Sequence, residues 1–459
     1  MLKQLFAYKR ILILGLGLHG GGVAITKWLV KQRAVLTVSD IKTRKELAVS
    51  LKQVKGLPIR FVLGSHPIKL LNNCDMIVQN PGVPSDHPIL KAARKKQIPI
   101  ENEASLFLKL CPTNKLAAIT GTRGKSTTVS LLGDMMKYAW PKTVVAGNIR
   151  DTLLFDVLDK LNKKSAAALE LSSWQLEVVG KYKLRIPLAV ITNVLPDHLN
   201  RYSSFASYIK AKTMIFSGQN AKDVLVLNWD NSVTRKLAIK ARAKVYWFSV
   251  RQPVARGCFV SGQAVYWRDQ KKTKLLYNRY DLKLIGDHNL ANTLAASTAA
   301  VLMGVPFKYI CRAVKNFKGL HDRLEFVRLV GGTSYYNDTT ATSPDATISA
   351  LSSFKKQPIV LIAGGTDKKL SYQKMAQIIR RRVKALVLLP GTATVKLQRE
   401  LKNYHRQLLA SSMPEAVKLA RQLTPPGGVV LLSPGAASFG LFKHEFDRGE
   451  AFKRVVKNL

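Results

Sequence analysis

Short, unbroken apolar runs recur along the first hundred positions: Ile11 to Leu14, Val35 to Ser39, Ile59 to Leu63 and Met76 to Val78. The stretches between them are amphipathic, with apolar residues at helical spacing. Runs of this length suit strands buried on both faces, and the intervening stretches suit crossover helices. Such alternation predicts a parallel sheet. A polar, Pro-containing stretch, Cys111 to Lys115, then precedes a new run at Leu116 to Thr120, and a first domain boundary is placed there. Further strands are expected at Thr143 to Ala146, Ala166 to Leu169, Leu188 to Thr192 and Val224 to Leu227, before a less regular, Trp- and Tyr-containing region up to Tyr280. A third series follows Glu325, with Ile359 to Ala363, Ala385 to Leu389 and Val429 to Leu432 as buried strands. The pattern reads as an α/β chain of three domains, 1–112, 113–322 and 323–459.

Length agrees, because 459 residues exceed what one core holds at roughly 100–200 residues per domain. Hydrophobic residues at 47% and charged residues at 22% exclude wholesale disorder. No apolar run reaches the roughly 20 residues of a membrane-spanning helix, and Met1 to Arg10 leads into a strand without the architecture of a cleavable leader, so the cytoplasm is expected. Cys74, Cys111, Cys258 and Cys311 lack paired spacing, which argues against a zinc site or a disulfide framework. The net charge of +45 attracts anions. Its basic residues are spread along the chain and no nucleic-acid-binding motif accompanies them, so a dedicated nucleic-acid partner is not expected; anionic lipid, a phosphorylated substrate, a proteome-wide basic bias or a salty cytoplasm each account for the charge.

The strongest chemical motif is Gly121-Thr122-Arg123-Gly124-Lys125-Ser126-Thr127, between an apolar strand and a helical pattern. Glycines there let backbone N–H groups wrap a phosphate at a helix start, and Lys125 adds positive charge for the outer phosphates. The first Gly of the longer GxxxxGK[ST] signature would fall at Ile119, so this is a shortened loop. The Ser126 or Thr127 hydroxyl is positioned to ligate magnesium. Glu170 and His198 follow later strands as candidates to hold that metal. Alone, Glu170 could be a helix-cap carboxylate, and a single His is more often structural than a ligand. Near the amino terminus, Gly15-Leu16-Gly17-Leu18-His19-Gly20 follows a strand, and Asp40 ends the next one. This is a Rossmann fingerprint, whose backbone logic serves NAD, FAD or any other diphosphate.

Taken in order, these pieces resemble the Mur ligases, ATP-dependent amide-forming enzymes of peptidoglycan precursor synthesis. The resemblance runs through the phosphate loop, Gly147-Asn148-Ile149, Glu170-Leu171-Ser172-Ser173, Asp197-His198-Leu199-Asn200-Arg201-Tyr202 and Ala211-Lys212. It continues through His288-Asn289-Leu290-Ala291-Asn292, Asp322-Arg323-Leu324-Glu325, Asn337-Asp338-Thr339-Thr340-Ala341-Thr342, Gly364-Gly365-Thr366-Asp367-Lys368 and Ser433-Pro434-Gly435-Ala436-Ala437-Ser438-Phe439. The match implies a Rossmann-like first domain, a central ATPase domain of the P-loop type and a Rossmann-like last domain. It points to the branch of the family that joins D-glutamate to UDP-N-acetylmuramoyl-L-alanine, with the addition of a different amino acid, or the extension of folate with glutamate, as the alternatives within the superfamily. An oxidoreductase or a non-catalytic anion binder ranks below.

By the same resemblance, Glu170 and His198 hold two magnesium ions beside ATP, and Lys212 carries a carbamate that supports the second. Asn289 and Asn292, on one face of a helix, meet adenine, while Arg323 and Asp338 grip phosphate and ribose near a hinge at Leu320 to Glu325. Gly17, Leu18, His19, Asp40, Asn80, Gly82, Asn148, Ser172 and Gln175 are implied for the UDP-linked substrate. Thr342, Lys368, Ser438 and Phe439 are implied for D-glutamate. A monomer is favoured. Three positions depart from the family pattern: Asp322 stands where His is common before Arg323, Thr340 replaces a frequent Lys, and Glu445 fills an aromatic position beside Phe446.

Overall fold

The computed structural model describes residues 5–18, 20–149, 152–197, 201–354, 357–368 and 370–459. By compactness the chain forms two units: Met1–Leu282 with Leu290–Asn316, and Lys283–Asn289 with Phe317–Leu459. Three sheets run through them, two in the first unit and one in the second.

The first sheet contains β1 (Arg10–Leu14), β2 (Val35–Asp40), β3 (Ile59–Leu63), β4 (Met76–Gln79) and β5 (Ile100–Glu101). Their order is β3-β2-β1-β4-β5, and every pairing is parallel. Because the chain turns to opposite sides after β1 and after β4, a crevice opens beyond their carboxyl ends, where doubly wound sheets bind ligands. The Gly-rich loop and the Asn80-Pro81-Gly82 turn lie there.

The second sheet is built from β6 (Leu116–Thr120), β7 (Thr143–Gly147), β8 (Ala166–Glu170), β9 (Leu188–Ile191), β10 (Val224–Asn228), β11 (Lys244–Ser249), β12 (Gly257–Ser261), β13 (Ala264–Asp269) and β14 (Lys272–Asn278). It runs β14-β13-β12-β11-β10-β9-β6-β8-β7, so β6 is again a switch point, between β9 and β8. The region expected to be less regular resolves into two antiparallel hairpins, β12–β13 and β13–β14. Their two-residue turns place Gly262 at φ 58° and Gln270 at φ 54°, the left-handed conformation that tight hairpins require.

One apolar core runs through both sheets of the first unit. Trp28, on the helix Gly21–Lys31, packs edge-on against Phe6 and against Phe155 from the segment after β7, with ring centroids 5.6 and 5.1 Å away. Its indole N–H donates to Asp159 at 2.9 Å. This shared core explains why two sheets make one compact unit. We keep 1–112, 113–322 and 323–459 as our proposal for where the domains part.

The third sheet contains β15 (Glu325–Val330), β16 (Thr333–Asn337), β17 (Ile359–Gly364), β18 (Val383–Leu389), β19 (Gln407–Leu409) and β20 (Val429–Leu432), ordered β15-β16-β20-β17-β18-β19. Only β15 pairs antiparallel among these described strands. No helix among the described residues is long and apolar enough to cross a membrane.

Candidate active site

The phosphate loop leaves the end of β6 and enters the helix Lys125–Ala139. Glycine is demanded by space as well as by backbone: Gly121 has φ 154° and Gly124 φ 81°. A Cβ on Gly121 would stand 1.9 Å from Thr192 Oγ1, and one on Gly124 2.0 Å from Asn292 Oδ1. The loop is fixed from β9 and its continuation. Thr122 N–H donates to the Asn193 carbonyl at 2.9 Å, Arg123 N–H to Asn193 Oδ1 at 2.9 Å, and the Thr192 hydroxyl to the Arg123 carbonyl at 2.6 Å. Ser126 and Thr127 are half-buried in the first turn of the helix.

Two lysines converge on this loop. Lys125 Nζ donates to the Gly121 carbonyl at 3.1 Å, and Lys212 Nζ to the same oxygen at 2.8 Å. Lys212 lies on the helix Phe205–Thr213 and is only 2% exposed. Burial, followed by repulsion from Lys125, pushes its ammonium down to about 6, so the amine is mostly neutral at pH 7. Tyr208, one helical turn earlier, places its ring 4.6 Å from Lys212 Nζ.

Glu170 ends β8 and is 1% exposed. It does not cap the following helix: that role falls to Ser172, whose Oγ accepts from Gln175 N–H at 3.2 Å while Gln175 Oε1 accepts from Ser172 N–H at 2.9 Å. Glu170 Oε2 is buried without a hydrogen-bond partner among the described residues. A buried, unsatisfied carboxylate oxygen near a phosphate loop fits a cation. The described residues contain no cluster of three His, Cys, Asp or Glu able to hold a metal. That sparse donor set suits magnesium, which is commonly held by one or two carboxylates together with substrate phosphates and water. His198 and His19 lie outside the described residues.

A cavity of about 410 Å³ in the first unit brings the two loops together. Gly17, Leu18, Asn80 and Gly82 line one part, and Asn148, Ser172, Gln175, Lys125 and Lys212 another. Gly15 and Gly17 are packed under Asn80, whose side chain a Cβ would meet at 2.8 and 3.1 Å. Asp40 acts from behind the loop, accepting from Gly17 N–H at 3.0 Å and from Lys42 N–H at 2.9 Å. Arg201 donates to the Pro81 carbonyl at 2.8 Å and lies 4.3 Å from the Trp174 ring, bracing the turn that carries Asn80 and Gly82. The sequence reading did not single out Tyr208, Trp174 or Glu103, all of which line the cavity. Of these, only Tyr208 had a readable signal, four positions before Lys212 on a helix.

Asn292 belongs to the first unit and sits against Gly124, whereas Asn289 belongs to the second, where its Nδ2 donates to the Ile285 carbonyl at 2.9 Å. In that second unit Asp338 accepts from Leu324 N–H at 3.2 Å and from the Ser433 hydroxyl at 2.8 Å. Arg323 is exposed. Asp322 is fully buried at φ 66°, and its carboxylate accepts from Asn337 Nδ2 at 2.9 Å. The Thr340 hydroxyl donates to the Asp322 carbonyl at 2.8 Å. Both departures from the family pattern thus knit the turn before β15.

Lys368 Nζ donates to Thr342 Oγ1 at 2.9 Å, and burial lowers its pKa. Paired backbone hydrogen bonds between Thr366 and Ala437, at 2.9 and 3.0 Å, bring the segments bearing Lys368 and Ser438 side by side. Ser438 Oγ is buried without a partner among the described residues. Phe439 is 61% exposed, and its carbonyl accepts from the Thr366 hydroxyl at 2.6 Å. A cation paired with one hydroxyl, beside a second, unused hydroxyl, suits a small carboxylate ligand.

Comparison with known proteins agrees with this geometry. Residues 9–102 match the family description "Mur ligase MurD-like, N-terminal domain", residues 119–300 "Mur ligase middle domain" and residues 322–435 "Mur ligase, glutamate ligase domain". A protein of Roseiflexus sp. (strain RS-1) named UDP-N-acetylmuramoylalanine--D-glutamate ligase is 42% identical, over 98% of this chain and 99% of its own. One of the same name from Koribacter versatilis is 38% identical over 98% of each. Among solved structures, UDP-N-acetylmuramate-alanine ligase MurC from Thermotoga maritima superimposes with a TM-score of 0.62 at 20% identity, covering 98% of this chain and 99% of that one. MurF from Acinetobacter baumannii gives 0.62 at 14% identity, covering 99% and 92%. These structures share the fold, and the full-length sequence relatives settle the lineage: the chain belongs to the Mur ligase family.

Proposed function

We infer that this chain joins D-glutamate to UDP-N-acetylmuramoyl-L-alanine at the expense of ATP, a cytoplasmic step of peptidoglycan precursor synthesis. The observation that carries the reading is the single cavity in which a diphosphate-type Gly-rich loop meets Lys125 of the phosphate loop. Full-length relatives bearing the name of that ligase give the acceptor and donor.

A carboxylate oxygen is a poor leaving group, so amide formation needs activation. The carboxylate of the UDP-linked substrate attacks the γ-phosphorus of ATP, the bond to the β–γ bridging oxygen breaks, and an acyl phosphate and ADP result. Lys125, with the backbone N–H groups after Gly121, neutralises charge as it shifts. The amine of D-glutamate then attacks the acyl carbon, loses a proton, and expels phosphate. Ser126, Glu170, His198 and Lys212 are our assignment for holding magnesium, as two ions, which lowers the cost of negative charge on the transferring phosphoryl group.

A cationic Lys212 would repel those ions. Its neutral amine is instead a nucleophile for carbon dioxide: a nitrogen–carbon bond forms, one proton leaves, and the product is an anionic carbamate. The depressed pKa of Lys212 supports that modification. Asn289, Asn292, Arg323 and Asp338 are assigned to the nucleotide, and Thr342, Lys368, Ser438 and Phe439 to D-glutamate. We propose a monomer.

The test is phosphate release from ATP and magnesium in the presence of UDP-N-acetylmuramoyl-L-alanine, comparing D-glutamate with other amino acids. Release that depends on both the sugar nucleotide and D-glutamate is expected. Release driven by a different amino acid, or by folate in place of the UDP-linked substrate, would reassign the chain within the superfamily.

A further inference from the structure

The cavity carries one acid among its described lining residues, and the chemistry above does not use it. Glu103 opens the helix Glu103–Leu110, behind the N-cap Asn102, whose side chain ties that helix to the Gln175 carbonyl at 2.9 Å. Glu103 Oε1 is buried and has no hydrogen-bond partner among the described residues. Its other oxygen stands at the start of the helix Gly21–Lys31: a Cβ on Gly21 would lie 3.0 Å from Oε2. The carboxyl group is therefore placed where the Gly-rich loop delivers a diphosphate to a helix amino terminus.

That position poses an electrostatic problem. An ionised carboxylate there would repel the phosphates, and a buried oxygen without a partner costs about 1–3 kcal/mol when nothing satisfies it. A carboxylic acid resolves both difficulties, because it offers an O–H to phosphate oxygens, which only accept. We propose that Glu103 is a specificity-determining residue for the donor substrate, its carboxyl group donating a hydrogen bond to the diphosphate of the UDP-linked sugar; this rests on the ligase reading above.

The surroundings favour the acid form. Burial, opposed by the Leu154 N–H and assisted by Asp156, pushes Glu103 up to about 7. The helices packed against Glu103–Leu110 are Gly21–Lys31, Leu154–Val157 and Ser173–Lys181. The charges they carry are Lys27 and Lys31, Asp156, and Glu177 and Lys181, and of these Asp156 acts on Glu103. Lys125 and Lys212 share the cavity.

The experiment is calorimetric titration of UDP-N-acetylmuramoyl-L-alanine into the full chain and its Glu103→Gln and Glu103→Ala variants, at about pH 6 and about pH 8.5, on either side of the carboxyl group's transition. ATP binding and the unfolding temperature are followed alongside. Wild-type affinity should fall about tenfold across that range as the donor proton is lost. Glu103→Gln, which keeps a donor and cannot ionise, should bind at both pH values as the wild type does at the lower. Glu103→Ala should bind at both pH values about tenfold more weakly than the wild type does at the lower, with ATP affinity unchanged. A wild-type profile that is flat, or Glu103→Ala affinity within about twofold of wild type at the lower pH, overturns the proposal and leaves Glu103 as a helix-anchoring residue. Should the alanine variant fail to fold, the contrast between wild type and Glu103→Gln still decides. Wild-type protein that binds no sugar nucleotide at either pH removes the ligase reading and this proposal with it.

Discussion

Single side chains in the first unit are held in states their free amino acids would not adopt. Lys212 is buried beside Lys125, Glu170 Oε2 lacks a partner, and Glu103 is pushed up to about 7. Each is costly for folding, and costs of this kind collect where a ligand will be bound or a reaction run. Replacing Lys125 or Glu170 by alanine should lower ligation by at least about 10²–10³-fold with the unfolding temperature preserved. Near-normal turnover in either variant would remove the phosphate and metal assignment. Glu103 also leaves a trace in stability. Between its usual 4.5 and about 7 the folded chain keeps a proton that the unfolded chain has released, so wild-type stability falls as pH rises through that window. Glu103→Gln should therefore gain on wild type by roughly 1–3 kcal/mol on going from the bottom of the window to above it. Denaturant titration at both ends measures the difference.

At the scale of elements, function depends on strand ends that only glycine permits. Gly147, which ends β7, has φ 120°, and a Cβ there would stand 2.1 Å from the Glu170 carbonyl. Gly147→Ala cannot be absorbed by rotating a side chain, because the obstacle is backbone. It should destabilise by about 1–3 kcal/mol or more and displace the carboxylate that ends β8, so that thermal stability and ligation fall together. Gly262, in the β12–β13 turn, has a left-handed φ but open space around it. Gly262→Ala should cost about 1 kcal/mol and leave activity intact. The parallel strands were legible as apolar runs, since strands covered on both faces must be apolar throughout. The hairpins from β12 to β14 were not, because Gly262-Gln263 and Gln270-Lys271 lack the usual Asn-Gly or Asp-Gly turn chemistry.

For the molecule as a whole, a net charge of +45 surrounds a site whose proposed substrates are anions. Long-range attraction of this kind accelerates encounter and is screened once the Debye length shrinks to a few ångströms. Raising ionic strength from about 0.05 to 0.5 M should increase KM for both ATP and the sugar nucleotide several-fold, with a smaller change in kcat. Steady-state kinetics across a salt series tests this.

The sequence by itself determined the α/β class, the order of the strands in the chain and the lineage. Strand burial, phosphate wrapping and tight turns each require particular residue types at fixed spacing, so they leave local marks that can be read without coordinates. Tertiary structure decided what depends on distant neighbours. The shared core around Trp28 makes one unit of two sheets, and Asp322, unusual in its motif, proves to be a buried strut of its own turn. The protonation of Lys212 and Glu103 follows from chain segments far from either. Desolvation and Coulomb interaction act through space, and a one-dimensional pattern carries no record of which residues will share that space.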